Sequence, residues 1–140
     1  MSNPTERLIF DRTNQDVIDN EPKGQYNASD LNRVESWCRY LADELNSRGY
    51  SINITTKLDW VQTDMRTASE MERIRKNIMK LMTGYHYISR IYASAESFDY
   101  IKANNWEKIL SEIYNMMWRN DRLVRLFRSK QFRTTQIVAT

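Results

Sequence analysis

The apolar residues of three long segments recur at the spacing of an α-helix, and this periodicity strongly limits the folds open to the chain. In the first segment the spacing is 3, 4, 3 and 4 residues, at Leu31, Val34, Cys38, Leu41 and Leu45. The second and third segments repeat it, at Met71, Ile74, Ile78 and Leu81, and at Ala103, Trp106, Leu110, Ile113 and Met117. Such residues form one stripe on a helix of 3.6 residues per turn, and each stripe has to be buried. We therefore expect a mainly α fold, a three-helix bundle with coiled-coil-like seams.

Residues that cap helices stand where these segments should begin and end. Asn27 can accept a hydrogen bond from the first turn of the first helix, and Gly49 can close that helix in the left-handed conformation. Thr67, with a glutamate three residues later, fits a capping box, and Asp99 is a suitable cap for the third helix. A short N-terminal helix is predicted after Thr13.

The segment after Gly49 has a different pattern. Residues 50–55, YSINIT, alternate apolar and polar side chains and are rich in β-branched types, which predicts a half-buried strand. Its partner would be residues 8–10, residues 132–138 or the same strand of a neighbouring subunit, so the fold should contain one or two short β-strands. Trp60, in the connection that follows, is interpreted as a core residue at one end of the bundle.

With 140 residues, of which 41% are hydrophobic, the chain has the size of a single helical domain with one core. We divide it into an N-terminal arm (residues 1–10), a helical core (11–118) and a basic C-terminal extension (119–140). Cys38 is the only cysteine and lies on the first apolar stripe, which favours a core position. No apolar run approaches the roughly 20 residues of a membrane span, and the chain does not begin like a signal peptide.

The sequence lacks the patterns of known catalytic and metal sites. It has no glycine-rich phosphate loop, no nucleophile elbow and no group of Cys and His at ligand spacing, and His86 is the only histidine. The charged face of the second helix, which includes Arg73, is interpreted as solvated surface. We therefore expect a protein that is not an enzyme and that uses no metal, no cofactor and no small-molecule substrate.

Positive charge is concentrated in the C-terminal extension. Residues 119–133 contain six Lys or Arg residues and one acid, Asp121, whereas the net charge of the whole chain is only +3. A segment of this kind can bind the phosphates of a nucleic acid, lie on an anionic membrane or dock on an acidic protein. Arginines near a helix end also interact favourably with the helix dipole. We favour the solvated or protein-docking interpretation over nucleic acid.

The third helix has more apolar residues than one bundle needs. Ile109, Met116 and Trp118 lie outside its main stripe and widen its apolar face. A wide exposed apolar face commonly marks a contact with another protein, and the pattern predicts self-association into a homo-oligomer.

Three blocks of the chain, in this order, resemble one group of phage proteins. The first is YNASDLNRVE (residues 26–35) with the later connection KLDW (57–60); the second is the helix that begins near Thr67; the third is YIKANNWEKIL (100–110). They resemble uncharacterised structural proteins encoded in the tail and baseplate region of prophages of Gram-positive gut bacteria. The tyrosine-rich linker that starts at Tyr85 and the basic extension depart from that pattern, which includes no catalytic residues.

The resemblance implies a virion structural protein, made in the cytoplasm of the host bacterium, that serves as an adaptor or assembly module in a phage tail or baseplate. Its partners would be other virion proteins. Because aromatic and arginine side chains dominate protein interfaces, we expect the contacts at such residues of the linker and the extension. These are Tyr85, Tyr87, Tyr92, Trp118, Arg122, Arg125, Phe127, Arg128 and Phe132. The alternative is a small nucleic-acid-binding protein that uses residues 119–133.

Overall fold

The fold is mainly helical, as the apolar periodicity predicts. The computed structural model describes the backbone of residue 4 and of residues 6–139, and the side chains of residue 4 and of residues 6–130. Within this range the helices are α1 (Asn14–Ile18), α2 (Ala28–Ser47), α3 (Ala68–Gly84) and α4 (Tyr100–Ala139), with a short 3₁₀ turn at Pro22–Gly24. Helices α2, α3 and α4 each contact the other two. The three predicted stripes are buried where these helices meet, which confirms their assignment to the core.

The helix caps predicted at Asn27, Gly49, Thr67 and Asp99 are confirmed, whereas the second half of the capping box predicted at Thr67 does not form. Asn27 Oδ1 accepts a hydrogen bond from Ser29 N at 3.0 Å, and Gly49 closes α2 at a φ of 97°. Thr67 Oγ1 accepts from Glu70 N at 3.2 Å, but the Glu70 carboxylate pairs with Arg73. In α4, the amide of residue 102 donates to Asp99 Oδ1 at 3.0 Å.

The prediction of short β-strands is wrong, because the described residues contain no strand. Residues 50–55 have no regular secondary structure, and Ile52 and Ile54 are buried as the alternation predicts. The backbone of this segment forms hydrogen bonds with side chains and not with a second strand. Asn46 Oδ1 accepts from Ile52 N at 2.7 Å, and Asn46 Nδ2 donates to Ile52 O at 2.8 Å. Asn77 and Arg39 likewise donate to Thr55 O and Ile54 O. The alternating pattern therefore correctly predicted that one face of this segment is buried, but it did not show that the segment pairs with another strand.

The C-terminal strand or extended arm predicted at residues 132–138 is also wrong. Helix α4 runs through position 118 and continues to Ala139 without a break. Nothing in the sequence stops it, since there is neither Gly nor Pro between Tyr100 and Ala139. The helix is about 60 Å long, twice the length of α2, so its C-terminal part extends past the end of the bundle.

A buried ion cluster holds the N-terminal segment against the helices. Arg12 donates to Glu107 Oε2 at 2.7 Å, and Arg33 donates to Asp30 Oδ1 at 2.6 Å and to Glu107 Oε1 at 2.6 Å. The backbone of the N-terminal segment also binds this cluster, because Ile9 N donates to Glu107 Oε1 at 3.0 Å. All four charged side chains of the cluster are buried, so they neutralise one another away from water.

A second buried carboxylate, Glu35, joins α2, α3 and the connection between them. It accepts from Arg73 Nη1 at 2.5 Å, from Lys57 N at 2.9 Å and from the indole N–H of Trp60. Trp60 is buried, which confirms its place in the core. The prediction that Arg73 is solvated surface is wrong, because this arginine bends back to neutralise Glu35.

Candidate protein-interaction surface

The part of α4 that extends past the bundle exposes apolar side chains. Met117 is buried, whereas every residue from 122 to 130 is exposed. Leu123, Leu126 and Phe127 are 61%, 59% and 61% exposed. These residues lie together on a short stretch of one helix, and a cluster of this kind is typical of a contact site.

A groove of about 610 Å³ lies where α4 leaves the bundle. Its apolar lining comes from the end of α2, the end of α3 and from α4 itself, and comprises Tyr50, Tyr85, Met117, Trp118 and Val124. Arginines line it as well: Arg48, Arg125 and Arg128. We call this cavity the α4 groove.

The aromatic part of the α4 groove is held in place by the bundle. The rings of Tyr50 and Tyr85 meet edge to face, with 5.1 Å between their centroids. Asn120 Nδ2 donates to the Tyr85 hydroxyl at 2.6 Å, which ties the tyrosine to α4. Burial raises the pKa of Tyr85 above its ordinary value, so its hydroxyl stays protonated at neutral pH.

The one acid of the basic segment is already neutralised. Arg48 Nε lies 3.0 Å from Asp121 Oδ1, and Arg48 Nη2 lies 2.7 Å from Oδ2. The hydrogen bonds from Arg48 lower the pKa of Asp121. Among the residues that the structure describes, Arg122, Arg125 and Arg128 form no ion pair. The surface around the α4 groove is therefore positively charged.

Four of the nine predicted contact residues line the α4 groove: Tyr85, Trp118, Arg125 and Arg128. Phe127 and Arg122 lie on the same part of α4 outside the groove, with Phe127 in an open patch beside Leu123 and Leu126. The groove residues that the sequence interpretation missed include Tyr50 and Val124. Val124 carried a signal, because it lies seven residues after Met117 and so continues the third apolar stripe.

The two remaining linker tyrosines lie elsewhere. Tyr87 donates its hydroxyl to Glu112 Oε2 at 2.6 Å, and burial together with this carboxylate raises the pKa of Tyr87 to about 12. Tyr92 is 71% exposed but does not line the α4 groove. The side chain of Phe132 lies outside the described residues. The residues predicted to contact a partner therefore do not all belong to a single surface.

The excess apolar face of α4 is smaller than the sequence suggests. Ile109 is fully buried in the protein's own core, and Met116 is partly buried against it, so neither is free for a neighbouring subunit. Trp118, at 43% exposed, remains at the surface. The apolar area open to a partner therefore lies beyond Met117.

Neither a metal site nor a membrane-spanning helix is found in the described part of the chain. No group of three or more His, Cys, Asp and Glu residues there is arranged to hold a metal ion. No helix in the same part is both long and apolar enough to span a membrane.

No protein-family model, curated protein or solved structure matches the chain.

Proposed function

We propose that this protein is a non-enzymatic assembly module that binds a neighbouring protein through the α4 groove and the exposed end of α4. One observation carries the proposal: α4 continues past the bundle and exposes Leu123, Leu126 and Phe127 there. Most of the stability of a helix in a protein comes from the packing of its apolar face. A partner that covers these side chains would supply that packing.

The residue types of this surface also support a protein partner. Trp, Tyr and Arg are the residues that most often dominate the energy of protein interfaces. The α4 groove combines Trp118, Tyr50 and Tyr85 with three arginines in one concave surface. The buried ion clusters at Glu35 and Glu107 are fully used by the fold and leave the α4 groove as the better candidate for function.

We place the module in a phage tail or baseplate, as part of the virion, and this placement rests on the resemblance of the three sequence blocks. Tail and baseplate components are usually arranged symmetrically, so an adaptor of this kind would be present in a fixed number of copies. Its partners would be other virion proteins, and a homo-oligomer is the form in which several copies would act together.

The test is mass spectrometry of phage particles purified after induction of a lysogen that carries the gene. We expect the chain in the particles at a constant ratio to the major tail proteins. Its absence from particles, with abundant chain in the same lysate, would contradict the virion placement. A soluble host protein of similar abundance, measured in the same samples, controls for carry-over.

The second candidate is a nucleic-acid-binding protein, and the unpaired arginines Arg122, Arg125 and Arg128 favour it. Phosphate contacts release counterions, so binding would weaken about 10³-fold or more between 50 and 200 mM salt if six phosphates were neutralised. A titration of a fluorescent 20-base-pair duplex at several salt concentrations tests this candidate. Absence of binding at 50 mM salt would exclude it.

A further inference from the structure

The chemistry of the α4 groove limits what can fill it. Its apolar wall requires an apolar anchor, while Arg125 and Arg128 require negative charge beside that anchor. Arg48 does not add to this requirement, because Asp121 and Glu44 already neutralise it. The matching occupant has apolar residues flanked by carboxylates.

The same surface of a second copy of the chain does not provide this chemistry. Residues 119–130 bring five Lys or Arg residues and one acid, and that acid is paired with Arg48. Two such surfaces placed face to face would repel each other, and like-charge contacts across an interface disfavour a partner.

A nucleic-acid duplex or a bilayer is also a poor match. The phosphates of a duplex would contact the arginines, but its bases are stacked inside and would leave the aromatic wall of Tyr50, Tyr85 and Trp118 without a contact. A bilayer is flat on this scale and cannot enter a concave groove between α4 and the end of the bundle. A protein segment can satisfy both the wall and the charges.

Backbone structure narrows the form of that segment. The described residues offer no sheet edge to which an extended peptide could add a strand. A helix that lays its apolar face into a groove carries anchors three or four residues apart with polar side chains beside them, which matches an apolar wall with arginines at its side. We infer that the α4 groove binds an acidic amphipathic helix of another protein, whose apolar residues pack on Tyr50, Trp118 and Val124 and whose carboxylates pair with Arg125 and Arg128.

This inference rests on the proposed function, since it names the partner of the same surface. A photo-crosslinking residue placed at position 124 of the full chain, in induced cells before lysis, tests it. We expect a crosslink to a segment of a different protein that has net negative charge and apolar residues at helical spacing. A crosslink to a second copy, to nucleic acid, to lipid or to a neutral or basic segment would overturn the inference, as would no crosslink at all.

A binding assay then uses a synthetic peptide with the sequence of the crosslinked segment. Fluorescence anisotropy should show at least a tenfold loss of affinity for Arg125→Glu and for Arg128→Glu. Arg122→Glu is the matched control, because it makes the same change of charge on the same helix outside the α4 groove, and it should change the affinity less than twofold. An equal loss in all three variants would overturn the inference. Since the particle measurement is separate, a chain that is found in particles and crosslinks at position 124 to a neutral or basic segment of another protein refutes the inference and leaves the proposed function standing.

Discussion

Arg33 in α2 and Glu107 in α4 form a two-point ion pair inside the protein. Arg33 Nε lies 2.6 Å from Glu107 Oε1, and Arg33 Nη2 lies 3.0 Å from Oε2. The same carboxylate accepts from Arg12, so one glutamate joins α2, α4 and the N-terminal segment. The cluster is buried and does not line the α4 groove.

Glu107→Gln should strongly destabilise the fold. The change keeps the shape of the side chain but leaves Arg12 and Arg33 without their shared negative charge, and removing one member of a buried ion pair costs about 3–5 kcal/mol. Urea unfolding followed by circular dichroism measures the difference. Glu72→Gln is the control, because Glu72 pairs with Arg75 at the surface, where an ion pair contributes little to stability. Equal effects of the two substitutions would show that the cluster does not act as a buried pair.

Asp121→Asn should destabilise the protein at neutral pH and have no effect in strong acid. Hydrogen bonds from Arg48 lower the pKa of Asp121 in the folded state. The contribution is therefore present above the ordinary pKa of an aspartate and is lost as the pH falls through the folded-state value. We expect about 0.5–1 kcal/mol at pH 7, as for a partly exposed pair.

Chemical denaturation of wild type and Asp121→Asn at pH 7 and at a series of lower pH values checks this prediction. In an Arg48→Met background the substitution should have little effect at any pH, because the partner that lowers the pKa is absent. A difference that does not shrink as the pH falls below the ordinary pKa of an aspartate would contradict the assignment.

Gly84→Ala should destabilise α3, although alanine is normally favoured over glycine inside a helix by about 1 kcal/mol. A Cβ at position 84 would lie 2.6 Å from Cγ1 of Ile52, whose side chain is buried. Overpacking of this kind costs about 1–3 kcal/mol. Thermal unfolding measures the effect.

A double-mutant cycle separates this clash from other effects at position 84. Ile52→Ala removes the carbon that the new Cβ would meet, so Gly84→Ala should cost much less in that background than in the wild type. Additive effects of the two substitutions would show that the close approach to Ile52 is not the cause.

Cys38 should be inert in the folded protein. It is fully buried, and burial raises the pKa of its thiol far above the ordinary value, whereas the thiolate is the form that reacts. Ellman's reagent at pH 8 should label it only as fast as the protein unfolds. Ser129→Cys in a Cys38→Ala background places a thiol on the exposed end of α4 and should react at once. Rapid labelling of Cys38 in the native protein would show that the core opens.

The sequence alone predicted the local features of this structure, which are the helices, their buried faces and their caps. Helical periodicity identified the buried stripes, and Asn27, Thr67 and Asp99 marked helix starts, because capping and i to i+4 contacts join residues that are close along the chain. Residue type, and not periodicity, predicted Trp118, Arg125 and Arg128 as contact residues, and the structure places all three on α4.

Only the tertiary structure determines which polar residues are buried and which exposed residues together form the α4 groove. Glu107 meets Arg12 and Arg33 across 95 and 74 residues, and Glu35 meets Arg73 across 38, so nothing near any of these residues in the sequence distinguishes them from surface charges. Residues 50–55 alternate as a strand does, and only the side chains of Asn46, Arg39 and Asn77 determine that no second strand pairs with them. The α4 groove likewise exists because α2 and α3 end where α4 continues. Burial and pairing depend on which segments of the chain meet in the folded structure. A periodic pattern predicts only that one face of a segment is buried, and not which other segment buries it.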